Sequence, residues 1–175
     1  MNYPDLKNPH IFQKLGGVDA KSVEACDQLL LILPPKPASS LFRQLPQGSN
    51  LQQVIKKSEP GSIPALNTRL SNKRQTLGIG GTLKKGTSAF EQLTLARKLV
   101  ERVIAEKAGS LGICVIGFDA DETAQIYTNM VAAALAAAFP LPTFKSKQPA
   151  AIIKSLRLLG IKENIDTART EAEAM

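Results

Sequence analysis

The chain has 175 residues, 43% of them apolar, which fits one domain with a core of its own. Aromatic residues make up 5% and Trp is absent, so aliphatic and alanine contacts must carry the packing. The net charge of +7 is uneven: from Lys36 to Lys107 thirteen Lys and Arg face four acids, a local +9, and nine face eleven elsewhere, a local −2. A basic middle region of this kind suits nucleic acid or an acidic partner, or forms an ordinary solvated face.

In chain order, Met1 to Gly17 is expected to be an irregular lead-in, because Pro4 and Pro9 interrupt it. It carries no apolar core region of the kind a secretory signal needs. This lead-in, taken as residues 1–24, is set apart from a domain over residues 25–160. Leu29 to Leu33 is a continuous apolar run stopped by Pro34-Pro35, which predicts a buried strand, and Pro34 to Ser40 is expected to be a loop. Ser49 to Lys57 predicts a short helix with a serine N-cap and Leu51, Val54 and Ile55 on one face. Ile63 to Leu70 and Gln75 to Leu83 predict two strands around the Ser71–Arg74 turn, spaced as a hairpin, with parallel placement left open.

Ser88 to Lys107 is the clearest helix, with Leu93, Ala96, Val100, Val103, Ile104 and Lys107 along one side and Gly109 closing it. Leu111 to Phe118 predicts a strand, and a helix from Asp121 to Phe139 follows. The uncharged stretch from Thr123 to Phe144 is no membrane span: its apolar content is mostly alanine, and Pro140 and Pro142 cut it short. A soluble, cytoplasmic protein is expected, with no membrane partner. Ala151 to Leu159 is a last strand candidate, and the tail from residue 161 is expected to be a helix.

Four local patterns bear on chemistry. The glycine-rich run from Gly78 to Ser88 lies between a strand and a helix. Gly80, Gly81, Gly86, Thr87 and Ser88 form a candidate phosphate loop, since free amides and a helix N-terminus attract anions. From Gly81 the run reads Gly-x-x-x-x-Gly-Thr-Ser, with Thr87 in the slot that lysine holds in a P-loop; the other reading is a strand exit with Thr87 or Ser88 as helix cap. Asp119, Asp121 and Glu122 could bind a hard metal or act as acid and base, but they sit where a strand hands over to a helix, and capping explains them. Lys73, Arg74, Lys84 and Lys85 are the candidate nucleic-acid contacts. The single histidine, His10, cannot make a triad or zinc site alone, and Cys26 and Cys114, in or next to apolar runs, are expected to be buried reduced thiols. No self-sufficient catalytic site is predicted.

Several phrases together carry a resemblance. The helix Phe90-Glu-Gln-Leu-Thr-Leu-Ala-Arg-Lys-Leu-Val100, the Gly112–Phe118 strand, Val131-Ala-Ala-Ala-Leu-Ala-Ala-Ala-Phe139 and Phe144-Lys-Ser-Lys147 are similar to the amino-terminal domain of the leucyl aminopeptidase family. Leu77-Gly-Ile-Gly80 resembles the strand ending that precedes the first of these helices, and Ala168 to Ala174 resembles the helix leading to the catalytic domain. The resemblance implies an α/β fold, a mixed sheet flanked by helices in a macro-domain-like, three-layer architecture. It implies a linker helix over residues 161–175 and, as partner, the parent's own carboxy-terminal catalytic domain. The parent is implied to be a hexameric exopeptidase with two divalent metals, Zn or Mn. No catalytic or metal residue carries over to these 175 residues, because the family's ligands lie in that further domain. Two other classes stay open: a DNA-binding module, and a nucleotide or ADP-ribose binder using the Gly78–Ser88 loop.

Overall fold

A computed structural model describes residues 9–138 and 153–166 of the chain. The elements are β1 (His10–Leu15), α1 (Ala20–Glu24), β2 (Gln28–Leu33), α2 (Ser39–Phe42), α3 (Gly48–Lys57), β3 (Leu66–Arg69) and β4 (Leu77–Thr82). They continue as α4 (Ala89–Ala105), β5 (Ser110–Val115), α5 (Ala120–Ala138) and β6 (Ser155–Ile161). Six strands form one sheet in the order β1-β6-β5-β2-β4-β3. Neighbours run parallel except for the antiparallel β3–β4 hairpin at one edge.

Residue chemistry explains that order. In β2 all six residues, Gln-Leu-Leu-Leu-Ile-Leu, are buried, as a strand covered on both faces requires. Its even-numbered Leu30 and Ile32 join Ile79, Leu111 and Ile113 beneath α4 and α5. Its odd-numbered Leu29, Leu31 and Leu33 join Cys114, Val23, Phe42, Leu51 and Leu66 on the other face, under α1, α2 and α3. The result is the expected three-layer α/β arrangement. Ser88 caps α4 in a full capping box with Glu91, whose carboxyl is held below its usual range chiefly by the Ser88 hydroxyl.

The structure corrects the lead-in of residues 1–24 over its later part. His10–Leu15 is a strand parallel to β6, and Asp19 caps α1 by accepting from the Ser22 amide at 2.7 Å. Its partner lies about 145 residues later, and as a half-exposed edge strand it shows no continuous apolar run. The last strand is shifted relative to Ala151–Leu159: it spans Ser155–Ile161, while residues 151–152 lie outside the described set. The predicted tail helix is corrected at its start, since Ile161 belongs to β6 and residues 162–166 are not helical. The rest of that helix lies outside the described residues, as does the Phe144–Lys147 phrase.

The buried side of α4 also differs from the predicted stripe. It is built by Gln92, Leu95, Ala96, Leu99, Val100 and Val103, so Leu95 and Leu99 replace Leu93 and Lys107 at its centre. Ser39–Phe42, partly within the predicted loop, forms the short α2. Among the described residues no helix is long and apolar enough to cross a membrane.

Candidate functional site

The candidate phosphate loop is divided between two structures. Gly80 and Gly81 lie inside β4, between β2 and β3, where their backbones serve the sheet. Their missing side chains serve packing. A Cβ on Gly80 would stand 2.8 Å from Leu66 Cβ and 3.1 Å from Leu31 O, and one on Gly81 would stand 2.8 Å from Leu99 Cδ1. Gly86, with φ +72°, is in the turn that follows, and its amide donates to Glu122 Oε1 at 2.7 Å. The Ser88 amide and hydroxyl both donate to Glu91 Oε2, and the Thr87 hydroxyl donates to Lys84 O. Carboxylates of Glu122 and Glu91 thus accept from the Gly86 and Ser88 amides, two of the donors that a phosphate in this loop would use.

The acidic group at the start of α5 divides its labour. Asp119 Oδ1 accepts from the Glu122 amide at 2.9 Å, which is a helix cap. Glu122 reaches across to Gly86, and Asp121 stays exposed in the first turn. Among the described residues, no group of three or more His, Cys, Asp or Glu is placed to hold a metal ion. The two-metal centre implied by the resemblance has no matching donor set among the described residues.

The four candidate nucleic-acid contacts fall at opposite poles. Lys73 and Arg74 precede β4 and Lys84 and Lys85 follow it, so the six-residue strand holds the pairs about 20 Å apart. Arg74 is committed to structure: its Nε lies 3.2 Å from Asp27 Oδ1 and its Nη1 donates to Ala25 O at 2.8 Å. Asp27 is the joint at this amino-terminal pole. Its Oδ2 accepts from the Gly109 amide and from the Ser110 amide and hydroxyl, at 2.9 to 3.1 Å. Burial works against its ionisation, but the Ser110 donors, Arg74 and the Gly109 amide outweigh it and hold the carboxyl below its usual value.

His10, in β1, stacks obliquely with Phe12, 6.5 Å between ring centroids. Both thiols are buried and free; burial pushes Cys26 up to about 11 and Cys114 up to about 12.

At the opposite, carboxyl-terminal pole lies a cavity of about 750 Å³. The topology puts it there. The chain leaves β5 through α5 on one face of the sheet, and it leaves the adjacent β2 through α2 and α3 on the other. Such a switch in direction opens a crevice beyond the strand ends. Its walls are the stretch from Val115 into the first turns of α5, residues 160–166 at the end of β6 and beyond it, and Leu41 and Gln44.

Sequence reasoning missed this site and its floor, Tyr127. That ring is fully buried; its hydroxyl accepts from the Val115 amide at 3.0 Å and donates to Leu159 O, spanning β5 and β6. Burial raises the phenol far above its ordinary value, so it stays protonated, with both hydrogen-bonding functions in use. The signal available beforehand was a lone Tyr, with a polar tip, on the inward side of an alanine-rich helix.

Solved structures supply the comparison. A mutant of tomato leucine aminopeptidase superposes with a TM-score of 0.66 and 15% identity, covering 99% of this chain and 36% of that one. The two share a fold. The chain thus spans about a third of the length of that neighbour. The bottromycin maturation enzyme BotP, solved in complex with Mn, gives a TM-score of 0.48 at 12% identity, over 85% of this chain and 29% of that one. No family model and no curated protein matches the sequence.

Proposed function

We propose that this chain is the non-catalytic amino-terminal domain of a leucyl-aminopeptidase-like metallo-exopeptidase. Its role is to pack on a catalytic domain, shape access to it and contribute to assembly. The observation that carries this reading is the fold shared with tomato leucine aminopeptidase over 99% of the chain but only 36% of the neighbour. The side-chain chemistry is in keeping with it: the acids at the start of α5 cap and staple, and the Tyr127 hydroxyl is spent on the backbone.

The test is hydrolysis of a leucine anilide by the purified 175-residue chain, with Mn²⁺ or Zn²⁺ supplied. No turnover above buffer is expected. Metal-dependent turnover that survives further purification would refute the non-catalytic assignment.

A further inference from the structure

The outer edge of β1 leaves two kinds of binding capacity unused. The strand ends the sheet, with β6 on one side and no described residue pairing on the other. The His10 amide donates to Lys154 O at 3.0 Å, so His10 and Phe12 turn their backbone groups toward β6. The intervening Ile11 and Gln13 turn theirs outward, without a backbone partner among the described residues. An exposed edge is ordinarily guarded by charge. Here the one lysine of β1, Lys14, is committed to Asp19 and to Ser22 Oγ at 2.6 Å. The strand also carries Phe12 and Leu15, two of the four exposed large hydrophobic residues among those described.

A second observation gives the edge a charge preference. Arg157 of β6 pairs with Phe12 in register, and its guanidinium carbon stands 4.7 Å from the Phe12 ring centroid. The cation is thus carried from β6 over the outermost strand, on the face opposite Ile11 and the Gln13–Ile165 pair. Its Nε is buried without a hydrogen-bond partner, and no carboxylate pairs with it among the described residues. A strand added outside β1 would lie about 4.8 Å further out. Its side chain beside Phe12 would project on the same face as the guanidinium, which offers a carboxylate charge-assisted hydrogen bonds.

We infer that the β1 edge docks an extended acidic segment of a partner polypeptide. The partner's backbone exchanges hydrogen bonds with Ile11 and Gln13, and a Glu or Asp beside Phe12 forms the ion pair that Arg157 lacks. The bulge after Lys14 ends the regular ladder, so the docked segment registers on His10–Gln13. Charge complementarity selects this occupant over a second copy: the chain carries +7, and β1 itself, His-Ile-Phe-Gln-Lys-Leu, offers no acid. The inference stands on this edge alone and is independent of the peptidase reading.

Titration of the ¹⁵N-labelled chain with three blocked peptides tests it. The first is acetyl-Thr-Thr-Val-Glu-Val-Thr-amide, the second carries Gln in place of Glu, and the third is the first N-methylated throughout, with no amide to donate. The Glu peptide should give saturable shifts centred on the amides of Ile11 and Gln13 and slow their exchange with solvent. The Gln peptide should bind about fivefold more weakly, the scale of removing a unit charge near 4 Å in water, and the N-methylated one should not bind. Arg157→Gln should weaken the Glu peptide to the level of the Gln peptide and leave the latter unchanged. In the unaltered chain, raising the salt from 0.05 to 0.5 M should close the gap between the two, a readout independent of any variant's folding.

The inference is overturned if the Gln peptide binds as tightly as the Glu peptide, if the shifts do not saturate, or if they centre away from β1. It is overturned equally if the Ile11 and Gln13 signals move with the chain's own concentration while light scattering shows a doubled mass, since the edge then belongs to a second copy.

Discussion

Replacing Tyr127 with Phe isolates one hydroxyl at the seam between β5 and β6. The ring is fully buried, and the substitution keeps its volume, so packing is preserved and the polar loss stands alone. What remains is a Val115 amide and a Leu159 carbonyl without the partner they share. A buried backbone group left without a hydrogen bond costs about 1–3 kcal/mol. Two such groups, less the relief of no longer burying a hydroxyl, give a loss of about 3 kcal/mol. Against a total stability of about 5–15 kcal/mol that is a large share. For a chain of this size it corresponds to a fall in Tm of about 6–12 °C. Urea unfolding followed by circular dichroism is the direct assay: the midpoint should fall while the slope m stays the same. A loss below about 0.5 kcal/mol would refute the reasoning, because it would mean the two backbone groups are satisfied without the phenol.

Other perturbations probe separate parts of the fold. Asp27→Asn weakens the joint among β2, β5 and Arg74, by about 1 kcal/mol at neutral pH once its 40% side-chain exposure is allowed for. Because the native carboxyl titrates below its usual value, its advantage is complete above about pH 5 and fades as pH falls through about 4 and below. Urea midpoints of the two proteins should therefore converge in acid; a constant gap would count against the network. Gly80→Ala drives a methyl into Leu66 Cβ and Leu31 O and should cost about 1–3 kcal/mol in a thermal melt, with an unchanged Tm as the adverse result. Neither Cys26 nor Cys114 should react with a thiol reagent at pH 8 before the chain unfolds, since both are buried with raised pKa values; fast labelling of the folded protein would contradict that placement.

The elements most legible in the sequence are those whose chemistry is local. β2 announces itself because both its faces are buried, so every position is apolar apart from Gln28. The helix α4 does so through its capping box and a repeating apolar side. β1 is hidden because what makes it a strand is β6, far along the chain, and an edge strand alternates weakly.

The glycines of β4 are ambiguous in the sequence for a related reason. A glycine needed for close approach of Leu66 and Leu99 is spelled the same as one that frees an amide for a phosphate. The basic residues could be counted beforehand but not located, and the strand that separates Arg74 from Lys84 divides them between two poles. The cavity had no signature at all, because its walls come from three separate stretches of chain that only the topology assembles.

One small contact ties the two ends of the described chain together. The side-chain amide of Gln13, on β1, donates to Ile165 O and accepts from Ile165 N, both at 2.8 Å, in the way a neighbouring strand would. Ile165 is also a wall of the cavity. Fraying of the first strand at Gln13 would therefore release the two hydrogen bonds that hold Ile165 in that wall. The cavity's shape is inherited from the opening residues of the chain as much as from the strands it crowns. A deletion that trims the amino terminus past Gln13 would alter this wall of the cavity by removing the side chain that pairs with it.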